Sequence, residues 1–189
     1  MRNFKKVLSL VLCMAMMLSV MVMGTGATSL GDYTDKDQVN DKYAVAVDVV
    51  TQLGVLEGVG KDTFAPQMNL SRAQMATMIY RMATGDVDKE YVANFVNGAT
   101  KFTDTPVDAW YAGYVGYAAD AAFLKGCGDG TYQPGADLTG YAAAAVLLRG
   151  MGYTAEGQNF TGPDWTVEVA KVALKAGLFT GLEGVDMGK

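Results

Sequence analysis

The chain has no histidine. That removes the usual base of nucleophilic triads and the commonest zinc ligand. Cysteine is nearly as scarce, with only Cys13 and Cys127. Clustered basic charge is missing too: 15 lysines and arginines face 20 aspartates and glutamates, for a net charge of −5. An acidic chain without a basic patch repels phosphate backbones, which excludes nucleic acid as a natural partner. There are four prolines, against 23 glycines. Beyond residue 23 no apolar run is long enough to cross a bilayer.

The one long apolar run lies at the start. Arg2, Lys5 and Lys6 precede an uncharged stretch from Val7 to Met23, and Thr25-Gly26-Ala27 supplies small residues for cleavage. Residues 1–27 therefore read as a secretory signal peptide, touching the membrane only during export. Without them the charge becomes −8, 12 basic against 20 acidic, and Cys127 is the one cysteine left. No internal disulfide can then close, which suits a Gram-positive exterior better than a disulfide-stapled secreted domain.

What dominates the remainder is repetition. Gly58-Val59-Gly60-Lys61-Asp62-Thr63-Phe64-Ala65-Pro66 through Leu70-Ser71 returns 68 residues later as Gly126-Cys127-Gly128-Asp129-Gly130-Thr131-Tyr132-Gln133-Pro134 through Leu138-Thr139. The register holds from Tyr43/Tyr111 to Arg81/Arg149. A third copy begins at Trp165, 55 residues after Trp110, with Ala173, Ala176, Phe179 and Gly181 on Ala118, Ala121, Leu124 and Gly126. A fixed period means that each unit buries its apolar face against its neighbours. It also points away from catalysis, which needs an asymmetric set of groups.

Each unit reads as helix, loop, helix. Tyr43, Ala46, Val47, Val50 and Leu53 step at three and four, a helical stripe that Gly54 and Gly58 end. A second helix starts at Ser71, whose capping box with Gln74 and staple of Leu70 onto Met75 mark its N-terminus; Met75, Met78, Ile79 and Met82 form a core face, and it ends near Gly85. The second copy has helices from Trp110 to about Ala122 and from Thr139 to about Arg149. The organisation is thus 28–85 as repeat one, 86–100 as an inserted linker with one short helix, 101–153 as repeat two and 154–189 as the first half of repeat three. The second helix of that third repeat belongs near residue 193, so the chain reads as a piece of a longer product, with room for a cargo domain beyond residue 189. The Trp165 helix then lacks its partner. Its apolar residues Val169, Val172, Ala173 and Ala176 are left exposed or cover another repeat, and 165–181 should exchange hydrogen faster than 71–82.

These residues resemble the S-layer homology repeat. The second copy carries Phe102-Thr103-Asp104, Trp110-Tyr111, Gly126, Asp129-Gly130-Thr131-Tyr132-Gln133-Pro134 and Leu138-Thr139. The first carries Tyr33-Thr34-Asp35, Gly54-Val55-Leu56-Glu57-Gly58, Phe64-Ala65-Pro66 and Leu70-Ser71-Arg72-Ala73-Gln74. The resemblance implies an all-α fold of helix–loop–helix repeats in a pseudo-threefold bundle. It also implies non-covalent binding to secondary, pyruvylated cell-wall polysaccharide at the cell surface. Carried over by position, Arg72 is the ketal-facing cation, with Asp104 and Trp110 as groove residues. The chemistry fits: an arginine fork binds a carboxylate in bidentate fashion, a sugar face lies on an indole, and free N–H groups in a helix's first turn favour an anion.

Each candidate has a plainer reading beside it. Arg72 is otherwise a solvated helix residue paired with an acidic neighbour. Trp110 and Trp165 read as core anchors of their helices, and Asp104 as a turn-former or a cap for the helix that follows. In the second copy Gly140-Tyr141-Ala142 stands where Arg-Ala-Glu belongs, losing both cation and capping box, and Lys42 stands in copy one where Trp110 stands in copy two. No cofactor or metal is expected. An EF-hand from Asp35 places Val39 and Ala46 at ligand positions, and Gly126-x-Gly128-x-Gly130 lacks the dinucleotide spacing.

Overall fold

The computed structural model of the chain describes residues 28–86, 89–99, 101–153, 160–182 and 184–188. The signal-peptide reading of residues 1–27 lies outside them. The fold is all-α. Among the described residues the sole β-pairing is an antiparallel bridge between Ser71 and Asp137.

Among the described residues six helices follow one another: α1 (Asp41–Gln52), α2 (Arg72–Thr84), α3 (Val96–Ala99), α4 (Ala112–Asp120), α5 (Gly140–Gly150) and α6 (Trp165–Ala176). Their ends follow local chemistry. Asn40 caps α1 by accepting from the Lys42 amide at 2.9 Å. Ser71 and Gln74 form the expected reciprocal box on α2, at 3.2 and 2.7 Å. That helix stops at Gly85, in the left-handed region at φ 70°. Thr139 caps α5 through the Ala142 amide at 3.2 Å, but Ala142 has no side chain to return the bond.

Packing runs as a relay. The second helix of copy one, α2, lies on α4, and the second helix of copy two, α5, lies on α6. The first contact buries Met75, Ala76, Ile79 and Tyr80 of α2 with Tyr114, Val115 and Ala118 of α4, plus Leu124, Tyr132 and Val146. The second buries Ala144, Ala145 and Leu148 of α5 with Phe160, Val169 and Ala173. Each fully buried aliphatic side chain here contributes roughly 1.5–3 kcal/mol. The linker is wedged into the first contact. Its 3₁₀ turn (Val92–Phe95) and α3 lie so close on α4 that a Cβ at Gly116 would come within 1.8 Å of the Phe95 carbonyl oxygen.

Val169 and Ala173 of α6 are buried against α5, so of the two outcomes expected for that helix the structure shows the covered one. Among the described residues the helix without a helical partner is α1, which packs on the turn at Leu30–Asp32 and on Tyr33 and Val39. Val45 is 77% exposed there, and Val49 and Leu53 are exposed as well. Met82 also departs from the expected core face: it points to solvent, while Met75 is buried.

Candidate functional site

The loop between the two helices of a copy is held by one aspartate, and the device occurs twice. The Asp35 carboxylate accepts from the amides of Phe64 and Ala65 at 2.8 and 2.7 Å. The Asp104 carboxylate accepts from Tyr132 and Gln133 at 2.8 and 2.7 Å. These bonds hold Ala65 and Gln133 in the left-handed region, at φ 58° and 57°, a conformation costly for a residue with a Cβ. The Phe64 amide, then that of Ala65, draws the Asp35 carboxyl below its ordinary range. A glycine completes each loop. A Cβ on Gly58 or Gly126 would come within 2.5 Å of the Tyr33 ring or 2.7 Å of the Phe102 ring. The structure thus gives both Asp104 oxygens to loop amides.

Arg72 meets Asp104 on the same loop. Its Nε donates to the Tyr132 carbonyl at 2.7 Å, its Nη2 to the Lys125 carbonyl at 3.3 Å, and its guanidinium lies over the Tyr132 ring at 4.7 Å. Tyr132 returns a bond from its hydroxyl to the Arg72 carbonyl at 2.7 Å. The first-turn amides of α2 are occupied as well: Arg72 N–H donates to Ala136 and Ala73 N–H to Pro134, at 3.0 and 2.9 Å. The expected free anion site at this helix start is therefore filled by the loop of the next copy. Arg72 is thus half-buried on backbone carbonyls, and among the described residues no acidic side chain pairs with it.

The second junction repeats the layout with other chemistry. Tyr141 N–H donates to the Met187 carbonyl at 3.0 Å, as Ala73 does to Pro134. Where Arg72 stands in copy one, a Cβ on Gly140 would meet the Met187 sulfur at 2.9 Å. The missing cation and the missing side chain have one cause: Met187 fills the space.

Trp110 is not with Arg72 and Asp104, and it is not a core anchor. It is 64% exposed, whereas Trp165 packs half-buried on the second cluster. The Trp110 indole instead lines a groove of about 190 Å³ between the copies, together with Glu57, Arg81, Lys89, Tyr114 and the Leu70–Arg81 face of α2. Arg81 is the deep cation of that groove. Its side chain is 4% exposed, and its Nη2 pairs with Glu57 at 2.8 Å, the glutamate being 52% exposed. Its Nε–H has no hydrogen-bond partner among the described residues. Sequence reasoning noted Arg81 only as the end of the repeat register. Its coincidence with Arg149 at the same offset was the signal available.

A second cavity, about 340 Å³, opens beside the linker and is lined by Tyr80, Thr84, Gly85, Asp86, Glu90, Tyr91 and Phe95. Asp86 accepts from the Tyr80 hydroxyl and from the Glu90 and Tyr91 amides. Burial raises the Asp86 pKa, but the Tyr80 and amide bonds outweigh it and bring the carboxyl below its ordinary value. This cavity is acidic, and a negatively charged ligand has no reason to enter it. No group of acidic or cysteine side chains among the described residues is arranged to hold a metal ion.

Comparison with known proteins gives a consistent result. The S-layer homology domain matches residues 32–76 and 101–144. The chain is 32% identical, over 96% of its length, to a "Cell surface protein" of Thermoanaerobacter kivui, of which it spans 22%. It is 30% identical over 79% of its length to a "Surface layer protein" of Brevibacillus choshinensis, spanning 13% of it. A "Middle cell wall protein" of Brevibacillus brevis shares 28% over 79% of the chain and 14% of the relative. The chain thus spans less than a quarter of the length of these curated relatives. No solved structure matches it.

Proposed function

Since the chain is an S-layer homology domain protein with two such domains, we propose that it is a secreted, non-enzymatic cell-surface module that holds a protein on the bacterial wall. It does so non-covalently, by binding secondary wall polysaccharide that carries carboxylates such as pyruvate ketals. On this reading residues 154–189 belong to a third repeat, and relatives several times longer than the chain leave room for a cargo domain. The observation that carries the glycan reading is the inter-repeat groove: an exposed indole, Trp110, beside a buried arginine, Arg81, with Lys89 adding positive charge. A sugar face on the indole and an anionic substituent toward the guanidinium is the pairing those groups favour. Arg72 and Asp104 then act by holding the Tyr132 loop that shapes the junction.

A second reading has its own support: a structural or protein-interaction module on the same scaffold that has lost glycan binding. Arg72 is committed to backbone carbonyls, and Met187 fills the matching place at the second junction. Pull-down of residues 28–189 on purified peptidoglycan, with and without its secondary polysaccharide, separates the two. Retention that requires the polysaccharide and falls at least about tenfold in W110A supports the anchor. Absence of retention by the unmutated protein supports the scaffold reading. Arg72→Ala is the companion variant, read for both binding and melting temperature.

A further inference from the structure

We propose that Glu57 is a built-in competitor for the groove: its carboxylate occupies, on Arg81, the place of the ligand's own carboxylate. The proposal rests on the glycan reading above and concerns how tightly that site binds. A guanidinium as deeply buried as Arg81 needs an anion beside it, because an uncompensated buried charge is strongly destabilising. Glu57 supplies it through one contact, Oε2 to Nη2 at 2.8 Å. The adjoining Nε–H is buried and has no acceptor among the described residues. The side-on fork of the guanidinium is thus half filled, whereas a carboxylate facing both nitrogens would satisfy it in bidentate geometry.

The two partners differ in freedom. Arg81 sits in the last turn of α2 with its side chain enclosed, while Glu57 is half exposed in a loop outside any helix. Glu57 can leave and Arg81 cannot. An incoming acidic sugar on Trp110 exchanges one carboxylate for another and gains the second hydrogen bond. Until it does, Glu57 repels it. The glutamate belongs to this copy alone of the pair: 68 residues on, Lys125 stands in the place of Glu57. Arg149, the counterpart of Arg81, donates to the carbonyls of Phe123 and Phe160, at 3.4 and 3.1 Å.

The test is binding of the unmutated chain and Glu57→Gln to purified wall polysaccharide, native and after chemical reduction of its carboxyl groups. Glutamine keeps an oxygen for Nη2 but removes the competing charge that balances Arg81, so the melting temperature of E57Q is read first and binding is compared at a temperature where both proteins are folded. The expected result is about fivefold or more tighter binding of E57Q to the native polymer, the scale of one like-charge repulsion in partly screened solvent, with no gain on the reduced polymer. Combining E57Q with Arg81→Lys, which keeps the charge and loses the fork, should abolish the gain. Unchanged or weaker binding of E57Q to native polymer overturns the proposal, as does an equal gain on reduced polymer. In both cases the glycan reading survives. Failure of both proteins to bind native polymer overturns that reading and this proposal with it.

Discussion

The two junctions between copies use one backbone arrangement with opposite side-chain chemistry. At the first, the start of α2 receives the Pro134–Leu138 segment, and an arginine reaches over Tyr132 to two carbonyls. At the second, the start of α5 receives Met187, and glycine makes room for it. Near the helix C-termini the contrast recurs. Arg81 faces a groove with Glu57 and an exposed tryptophan, whereas Arg149 is turned onto backbone carbonyls and the Phe160 ring. Burial lowers the Arg149 pKa to about 10. The backbone bonds are what the repeat preserves. The polar side chains vary, and the groove of Arg81, Glu57 and Trp110 lies at the first junction.

Removing the loop clamp should break the first junction hardest. Asp104→Ala leaves the Tyr132 and Gln133 amides without their acceptor, beside a tyrosine that is 1% exposed. A loss of about 2–4 kcal/mol is expected from two orphaned donors near a core. Asp35→Ala removes the same two bonds next to a half-exposed Phe64, so water replaces them and the loss should be about 1 kcal/mol. Urea-unfolding midpoints measure both. Equal losses would mean that the two loops are equivalent, contrary to their burial.

Putting copy-one chemistry into the second junction is the next test. Gly140→Arg must displace Met187, whose Cα alone lies 3.1 Å from the new Cβ position. Overpacking of this kind costs about 1–3 kcal/mol. Met187→Ala should recover part of that in the double variant, a coupling read from a double-mutant cycle of melting temperatures. Strict additivity would show that the two positions do not compete for space.

Alkaline pH should loosen the first junction by a smaller amount. Burial raises the pKa of Tyr132 above its ordinary 10, with the Arg72 charge opposing, and burial raises that of Tyr80 too. A folded-state pKa above the unfolded value means stability fully present below pH ~10 and lost as pH rises through the folded value. Unfolding free energy should therefore decline above pH ~10. Tyr132→Phe should start lower, having lost the bond to the Arg72 carbonyl, and decline less steeply. An identical slope in that variant would remove Tyr132 as the cause.

Much of this was legible in the residues. The 68-residue offset predicted paired loops, and the Ser71–Gln74 box fixed the start of α2. The linker's short helix was visible in Tyr91, Val92, Phe95 and Val96. What the pattern could not distinguish was which partner each polar group takes. Asp104 and Arg72 have the residue types of a ligand site, yet loop amides of its own copy claim Asp104 and loop carbonyls of the next copy claim Arg72, through contacts 28 to 60 residues away. Trp110 reads as a core anchor because an indole at a helix start usually is one, but α4 here begins only at Ala112, leaving the ring outside. The groove pair Arg81–Glu57 joins residues 24 apart on different elements, beyond the reach of helical or strand periodicity.

The smallest effect expected concerns the helix outside both junctions. If the relay of α2 on α4 and α5 on α6 is what confers protection, α1 should be the least protected long helix, because among the described residues it packs on no other helix, only on the turn at Leu30–Asp32 and the small cluster of Leu30, Tyr33 and Val39. Local opening then exposes little apolar surface and costs little free energy. Amide hydrogen exchange should rank residues 41–52 fastest, 165–176 slower and 72–84 slowest, with α6 protected by Val169 and Ala173 in the second core. Val45→Lys, at a position already 77% exposed, should change stability by less than about 0.5 kcal/mol and leave that ranking intact. Slow exchange in α1, together with a large loss in V45K, would mean that a partner covers this face in solution. The two junctions would then not be the whole of what holds the repeats together.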